Sequence, residues 1–385
     1  MIKRIAYMLL IVLLLGGFAF AEGQKEEQQA EGEQAGKQLP EEITIGWSPP
    51  DVTGVFATAT NYFEKAAKDA REAGINAKVV TQSPAAHTEF GKQVNILQDF
   101  ISRDVDVIAV SPVEVEVIKP ALRKANQEDI PIIVVNLLRP IEGVDVDSYI
   151  GFSNYGAAKI SGYATLDYFG GPGVLNGGDQ VDRTDNLNRE FWEDLYSDVG
   201  PENFDPQGKI AILEGIAGGF FNRERMEGYH DVIDQYDGLE VVASLAADWN
   251  RQKAVDNTED ILQAHPDVDL IYGASNEMGI GARYAVESAD KGDEVVIITN
   301  DGTPESLKMI RNDRILAETW HGFPEWGWFG TRFAVMLALG QDPPQEFDIN
   351  PRLEYKGNAD NFYPDVKLEP HPWEEIKQTY MESGG

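Results

Sequence analysis

None of the 385 residues is cysteine. That excludes disulfides, thiolate zinc sites, iron–sulfur clusters, a thiol nucleophile and an acylated N-terminal cysteine. Positive charge is also scarce: 32 Lys and Arg stand against 65 Asp and Glu, a formal charge of −33. A surface of that sign repels phosphate backbones, so nucleic acid is not an expected partner. The five histidines are scattered and none has a metal-type partner at helical spacing. Asp179, Asp182, Asp185 and Asn188 recur every three residues, whereas a calcium loop draws on alternate positions. No metal and no cofactor are therefore expected.

Catalytic signatures are missing too. There is no P-loop, H-E-x-x-H or G-x-S-x-G, and Gly279-Ile280-Gly281 and Gly171-Pro172-Gly173 lack the third position and the location of a dinucleotide fingerprint. No catalytic residue is assigned and the chain is not read as an enzyme. Its many carboxylates leave glycoside hydrolysis as the rival to test.

Long apolar runs are confined to the start. Lys3 and Arg4, the run Ile5 to Leu15 and the small-x-small site Ala19-Phe20-Ala21 read as a signal peptide over residues 1–21, cleaved after Ala21. The run is short for a transmembrane helix, and an uncleaved anchor is the alternative. Cleavage predicts a periplasmic protein, and loss of Lys3 and Arg4 takes the charge from −33 to −35. Residues 22–41 form an acidic spacer with no aromatic or β-branched residue through Gln38, which predicts disorder.

From Glu42 onward, strand and helix patterns alternate. Strands are expected at Ile43–Trp47, Ala77–Thr81, Val105–Val110 and Ile130–Val135, with helices between them, and the alternation restarts after Ala157. Two such halves predict an α/β protein of two Rossmann-like lobes with parallel sheets joined by a hinge, since one continuous sheet would be unusually wide. The first lobe is placed at residues 42–154 plus 323–345, and the second at 155–322 plus 346–370. Residues 170–208 read as an insertion, because so long an irregular stretch is uncommon inside a compact domain.

Candidate site residues come from the carboxyl ends of the strands. The run Val295 to Thr299 stops at Asn300-Asp301-Gly302-Thr303-Pro304, where Thr303 suits a helix N-cap and Pro304 the first helical position. Asp301 thus stands at the carboxyl end of a buried strand, where clefts in open α/β sheets form. The other strand ends supply Phe56, Asn136, Trp249, Ser275 and Asn276, and the stretch Phe220 to Arg225 supplies Arg223 and Arg225. Two residues apart on a helix, the two arginines diverge, so one is expected in the cleft and the other in a surface ion pair. Neutral polar groups, one carboxylate, a guanidinium and aromatic rings suit the hydroxyls and faces of a sugar-like molecule.

Five stretches in order carry a resemblance: Gly215-Ile216-Ala217-Gly218 with Asn222 to Gly228, Asp248-Trp249-Asn250, Ala264 to Val268, Asn276-Glu277-Met278 and Asn300 to Pro304. Together they resemble the type I periplasmic sugar-binding proteins of ABC transporters, the ribose- and galactose-binding family. The resemblance spans about Ile43 to Leu353 except the insertion. It implies a monomer that captures a sugar or polyol by hinge closure and delivers it to an ABC transporter membrane permease. A receptor that presents its ligand to a sensor kinase or chemoreceptor is the alternative. Asp301 and Arg223 fall where relatives bind sugar hydroxyls, and Trp249 where they stack a ring. Asn136-Leu137 replaces a common Asp-Arg pair, Ser275 stands where Asn is frequent, and Gly322, beside His321, where Gln is often found. Phe56 is what remains of an aromatic pair near the first strand.

Overall fold

Two prolines after β1 (Ile43–Ser48) end that strand, and the chain turns into α1 (Gly54–Glu72). The first sheet continues with β2 (Ala77–Thr81), β3 (Val107–Val110), β4 (Ile132–Val135) and β5 (Ser148–Gly151), separated by α2 (Phe90–Ser102) and α3 (Val115–Gln127). In β3 (VIAV) and β4 (IIVV) every residue is buried, as expected where helices cover both faces of a parallel sheet. This computed structural model describes residues 37–175, 186–199, 203–362, 366 and 368–383. The expected signal peptide, most of the acidic spacer, and Asp179, Asp182 and Asp185 lie outside the described residues.

The second lobe repeats the plan. It comprises α4 (Asn154–Tyr168), α5 (Arg189–Val199), β6 (Gly208–Glu214), α6 (Phe220–Ile233), β7 (Leu239–Ala246), α7 (Arg251–Ala264) and β8 (Leu270–Gly273). Then come α8 (Asn276–Ser288), β9 (Val296–Asp301), α9 (Pro304–Arg311) and β10 (Ala317–Trp320). The chain returns to the first lobe as α10 (Phe323–Ala338) and β11 (Glu346–Asp348), crosses again to β12 (Arg352–Tyr355), and ends with α11 (Trp373–Glu382). The sheets run β2-β1-β3-β4-β5-β11 and β7-β6-β8-β9-β10-β12, the same order twice. β11 joins its sheet parallel and β12 joins its own antiparallel.

The chain therefore crosses between lobes four times among the described residues, after β5, β10, β11 and β12. The third crossing follows Asp348, since β11 at Glu346–Asp348 still belongs to the first sheet. Beyond residue 370, where the expected second-lobe tail ends, the chain returns to the first lobe. Trp373 Nε1 donates to Asp69 Oδ2 at 2.7 Å and Lys377 Nζ to the Ala73 carbonyl at 2.6 Å, which ties α11 to α1. The described part of the insertion packs on the second lobe: Trp192 is fully buried, and Tyr163 of α4 stacks on Tyr196 at 5.0 Å. Among the described residues no helix is long and apolar enough to cross a membrane.

Candidate functional site

Where β9 ends, local chemistry fixes the chain direction. Asp301 has φ 106° and Gly302 φ 87°. Thr303 then caps α9 by accepting from the Ser306 N–H at 3.2 Å, with Pro304 in the first turn. This sharp exit lifts the Asp301 carboxylate out of the sheet edge into a cavity of about 380 Å³ between the lobes. Pockets of about 300–1,000 Å³ are typical of small-molecule sites.

Three other side chains on the cavity wall leave their strands in the same left-handed region: Asn136 after β4 (φ 69°), and Asp248 and Trp249 after β7 (φ 52° and 60°). For Trp in particular this backbone is costly, and such strain is characteristic of sites held by their surroundings. The surroundings are visible at Gly215, where a Cβ would stand 2.0 Å from the indole of Trp249, so only glycine lets the ring lie there. The ring also lies near Arg225, whose guanidinium carbon is 5.3 Å from its centroid.

Arg225 and Asp301 form the electrostatic centre. Arg225 Nη1 donates to Asp301 Oδ1 at 3.0 Å and also to the Ala274 carbonyl, and Nε donates to Asn154 Oδ1 at 3.0 Å. The Asn276 N–H donates to the second carboxylate oxygen at 3.1 Å. Burial pushes the Asp301 carboxyl up, but the Arg225 charge and His321 outweigh it and hold the group at about 2. His321 sits behind the carboxylate, its Nδ1 3.2 Å from Oδ1, fully buried, with its ring tilted against that of Phe152 at 4.2 Å. Burial lowers its pKa to about 4, so the ring is neutral near pH 7.

The expected residues divide as follows. Asp301, Trp249, Asn136, Ser275, Asn276 and Phe56 all line the cavity, whereas His321 does not. Arg223 lies on the outside of α6, exposed, donating to the Gly218 carbonyl at 2.7 Å; the arginine in the cleft is Arg225. Helical period is the reason: α6 buries Phe221, Asn222, Arg225, Tyr229 and Val232, and Arg223 falls off that stripe. Asp51 and His87, 2.8 Å apart on the first-lobe rim, also line the cavity and were not among the expected site residues. Of the strands expected from the sequence, β2 is the one whose following segment, which carries His87, was not searched for site residues.

Several buried polar atoms on the wall have no partner within the protein: Asn136 Oδ1, Ser275 Oγ and Asn276 Oδ1. Buried polar groups are ordinarily satisfied, so these are poised for a guest that brings donors. Across the mouth the lobes also touch. The Phe220 N–H donates to Glu114 Oε2 at 3.2 Å, and Arg139 lies 3.6 Å from Glu224.

Two lobes of like topology, repeated chain crossings and a polar cavity between them define a ligand receptor of the two-lobed α/β kind. The chain belongs to the periplasmic binding protein domain family, whose model matches residues 45–342. It is 26% identical over 284 residues to the ribose import binding protein of Bacillus subtilis, covering 74% of this chain and 77% of that one. Against the ribose import binding protein of Escherichia coli it is 27% identical over 310 residues, 78% of this chain and 89% of the relative. Among solved structures, an ABC transporter periplasmic solute binding protein from Actinobacillus succinogenes with bound D-allose matches with TM-score 0.68. That match has 21% identity over 83% of this chain and 100% of the other. The family comprises extracytoplasmic binding proteins rather than enzymes.

Proposed function

We propose that this protein captures a sugar or sugar-like polyol between its lobes and hands it to the membrane permease of an ABC transporter. The observation that carries the reading is the convergence of Asp301, Arg225 and Trp249 from one lobe with Phe56 and Asn136 from the other on one cavity. Asp301 accepts hydroxyl protons, Arg225 donates to ring or hydroxyl oxygens, and Trp249 and Phe56 cover the apolar faces of the ring. Asn136, Ser275 and Asn276 set which hydroxyl pattern fits. Because both lobes touch the guest, binding stabilises the shut form over the open one, and the shut form is what the permease reads. Export through a cleaved signal peptide puts the protein in the periplasm. The named relatives, two ribose import binding proteins and a D-allose-bound receptor, support a monosaccharide. A calorimetric and thermal-shift screen against pentoses, hexoses, polyols and sugar acids tests the reading. A micromolar or tighter hit that is lost in Arg225→Ala is expected, and silence across the panel overturns it.

A further inference from the structure

The two walls of the cavity differ in kind. Among the described first-lobe residues that are buried on the wall, Pro50, Val55, Phe56, Pro112, Val113 and Phe323 are apolar and Asn136 alone carries a polar side chain. On the second-lobe wall the buried residues are Arg225, Ser275, Asn276 and Asp301, with Phe221 the apolar exception.

Main-chain groups do not repair the first-lobe deficit at β1 and β3. Pro112 has no N–H to offer. The fully buried Gln93 of α2 occupies the neighbours: its Oε1 accepts from the Val113 N–H at 2.8 Å, and its Nε2 donates to the Ser111 and Ser48 carbonyls at 2.9 and 3.2 Å. One internal glutamine thus satisfies both strand ends that face the guest. Asp51 and His87, at the rim, are bound to each other.

Away from Asn136, a hydroxyl pressed on that wall at Phe56 and Val113 gives up its water and receives nothing back, whereas a methyl or methylene gains contact there. We propose that the guest is a deoxygenated sugar, such as a 6-deoxyhexose, with its methyl-bearing edge seated on the first lobe and its hydroxylated edge on Asp301, Arg225, Ser275 and Asn276. The inference rests on the proposed sugar-binding reading and narrows it to a substrate class. An apolar pocket discriminates against an added hydroxyl by about 10- to 100-fold, which sets the size of the expected preference.

The test is titration calorimetry of the exported chain with pairs that differ in one oxygen: D-fucose and D-galactose, L-rhamnose and L-mannose, 5-deoxy-D-ribose and D-ribose. The deoxygenated member is expected to bind at least tenfold tighter in the pair that fits best. The near-isosteric Val113→Thr, which adds a hydroxyl to the wall, is expected to narrow that ratio severalfold. Equal or tighter binding of the hydroxylated member in every pair that binds overturns the inference and leaves the sugar-receptor reading standing. No binding by any member of any pair overturns the inference, and the wider panel of pentoses, hexoses, polyols and sugar acids then decides the sugar-receptor reading.

Discussion

The lobes are copies in topology and opposites in chemistry. β4 corresponds to β9 in sheet order, and each ends in a residue of positive φ on the cavity wall. In the first lobe it is Asn136, neutral, with its carbonyl oxygen unpartnered; in the second it is Asp301, locked to Arg225 and the Asn276 N–H. β3 corresponds to β8, and Pro112-Val113 after one stands against Ser275-Asn276 after the other. The backbone plan supplies two sets of positions, and the residues after each strand decide that one set grips while the other covers.

The largest effect that should separate the two is Asp301→Ala against Asn136→Gly. Asp301→Ala should weaken binding at least tenfold, about 1.4 kcal/mol, and should also destabilise the empty protein. Asp301 neutralises a buried guanidinium, and removing one member of a buried pair costs about 3–5 kcal/mol. Denaturant unfolding of the empty variant should show that loss alongside the weakened binding. Were the variant as stable as the parent, the ion pair would not be the lobe's electrostatic anchor.

A second contrast lies at the sheet edges. Glu318 and Glu354 face each other across β10 and β12, both fully buried, and three of their four carboxylate oxygens have no hydrogen bond. Burial and mutual repulsion raise Glu318, and burial raises Glu354 to about 8. A raised carboxyl favours the fold below its unfolded value and loses that contribution as pH climbs through the folded one. Stability should therefore fall between about pH 4.5 and 8. Asp301, depressed from 3.8 to about 2, works on the acid side, and its contribution is lost as pH drops through that interval. Glu354→Gln should raise stability at pH 9 by as much as about 5 kcal/mol and leave pH 5 nearly unchanged, as read by denaturant unfolding at the two pH values. A parallel shift at both values would remove the titration account.

Asn136→Gly comes third. Glycine accepts the positive φ, so the melt should hold, while loss of the amide should weaken the fitted sugar by about tenfold, roughly 1.4 kcal/mol. An effect as large as that of Arg225→Ala would break the division between gripping and covering walls. The smallest effect is expected for Arg223→Ala, less than twofold in Kd, since that side chain lies outside the cavity.

The difference between the arginines also marks what the sequence reveals. Asp301, Trp249, Asn136, Ser275, Asn276 and Phe56 were legible because each comes after a strand with a recognisable stop. Which arginine turned inward was legible in principle from the apolar stripe Phe221, Tyr229, Val232, whereas the family resemblance had pointed to Arg223. β5, β10, β11 and β12 were not legible. They are three or four residues long, segments such as SYIG and EFD carry no periodicity, and their strand character comes from the sheet edge they join. His321 could not be judged either, because whether a crossover side chain faces the guest or backs the carboxylate depends on packing between distant segments.

The repeated crossing has a temporal consequence. The second lobe's strands β6 to β10 emerge in one uninterrupted stretch, but the first lobe waits for α10, β11 and finally α11, which closes over α1 near the end of the chain. The part made first is thus finished last. Until α11 has been made, α1 stands with part of its partner surface bare, so the first lobe is completed only after the second lobe's sheet is already whole.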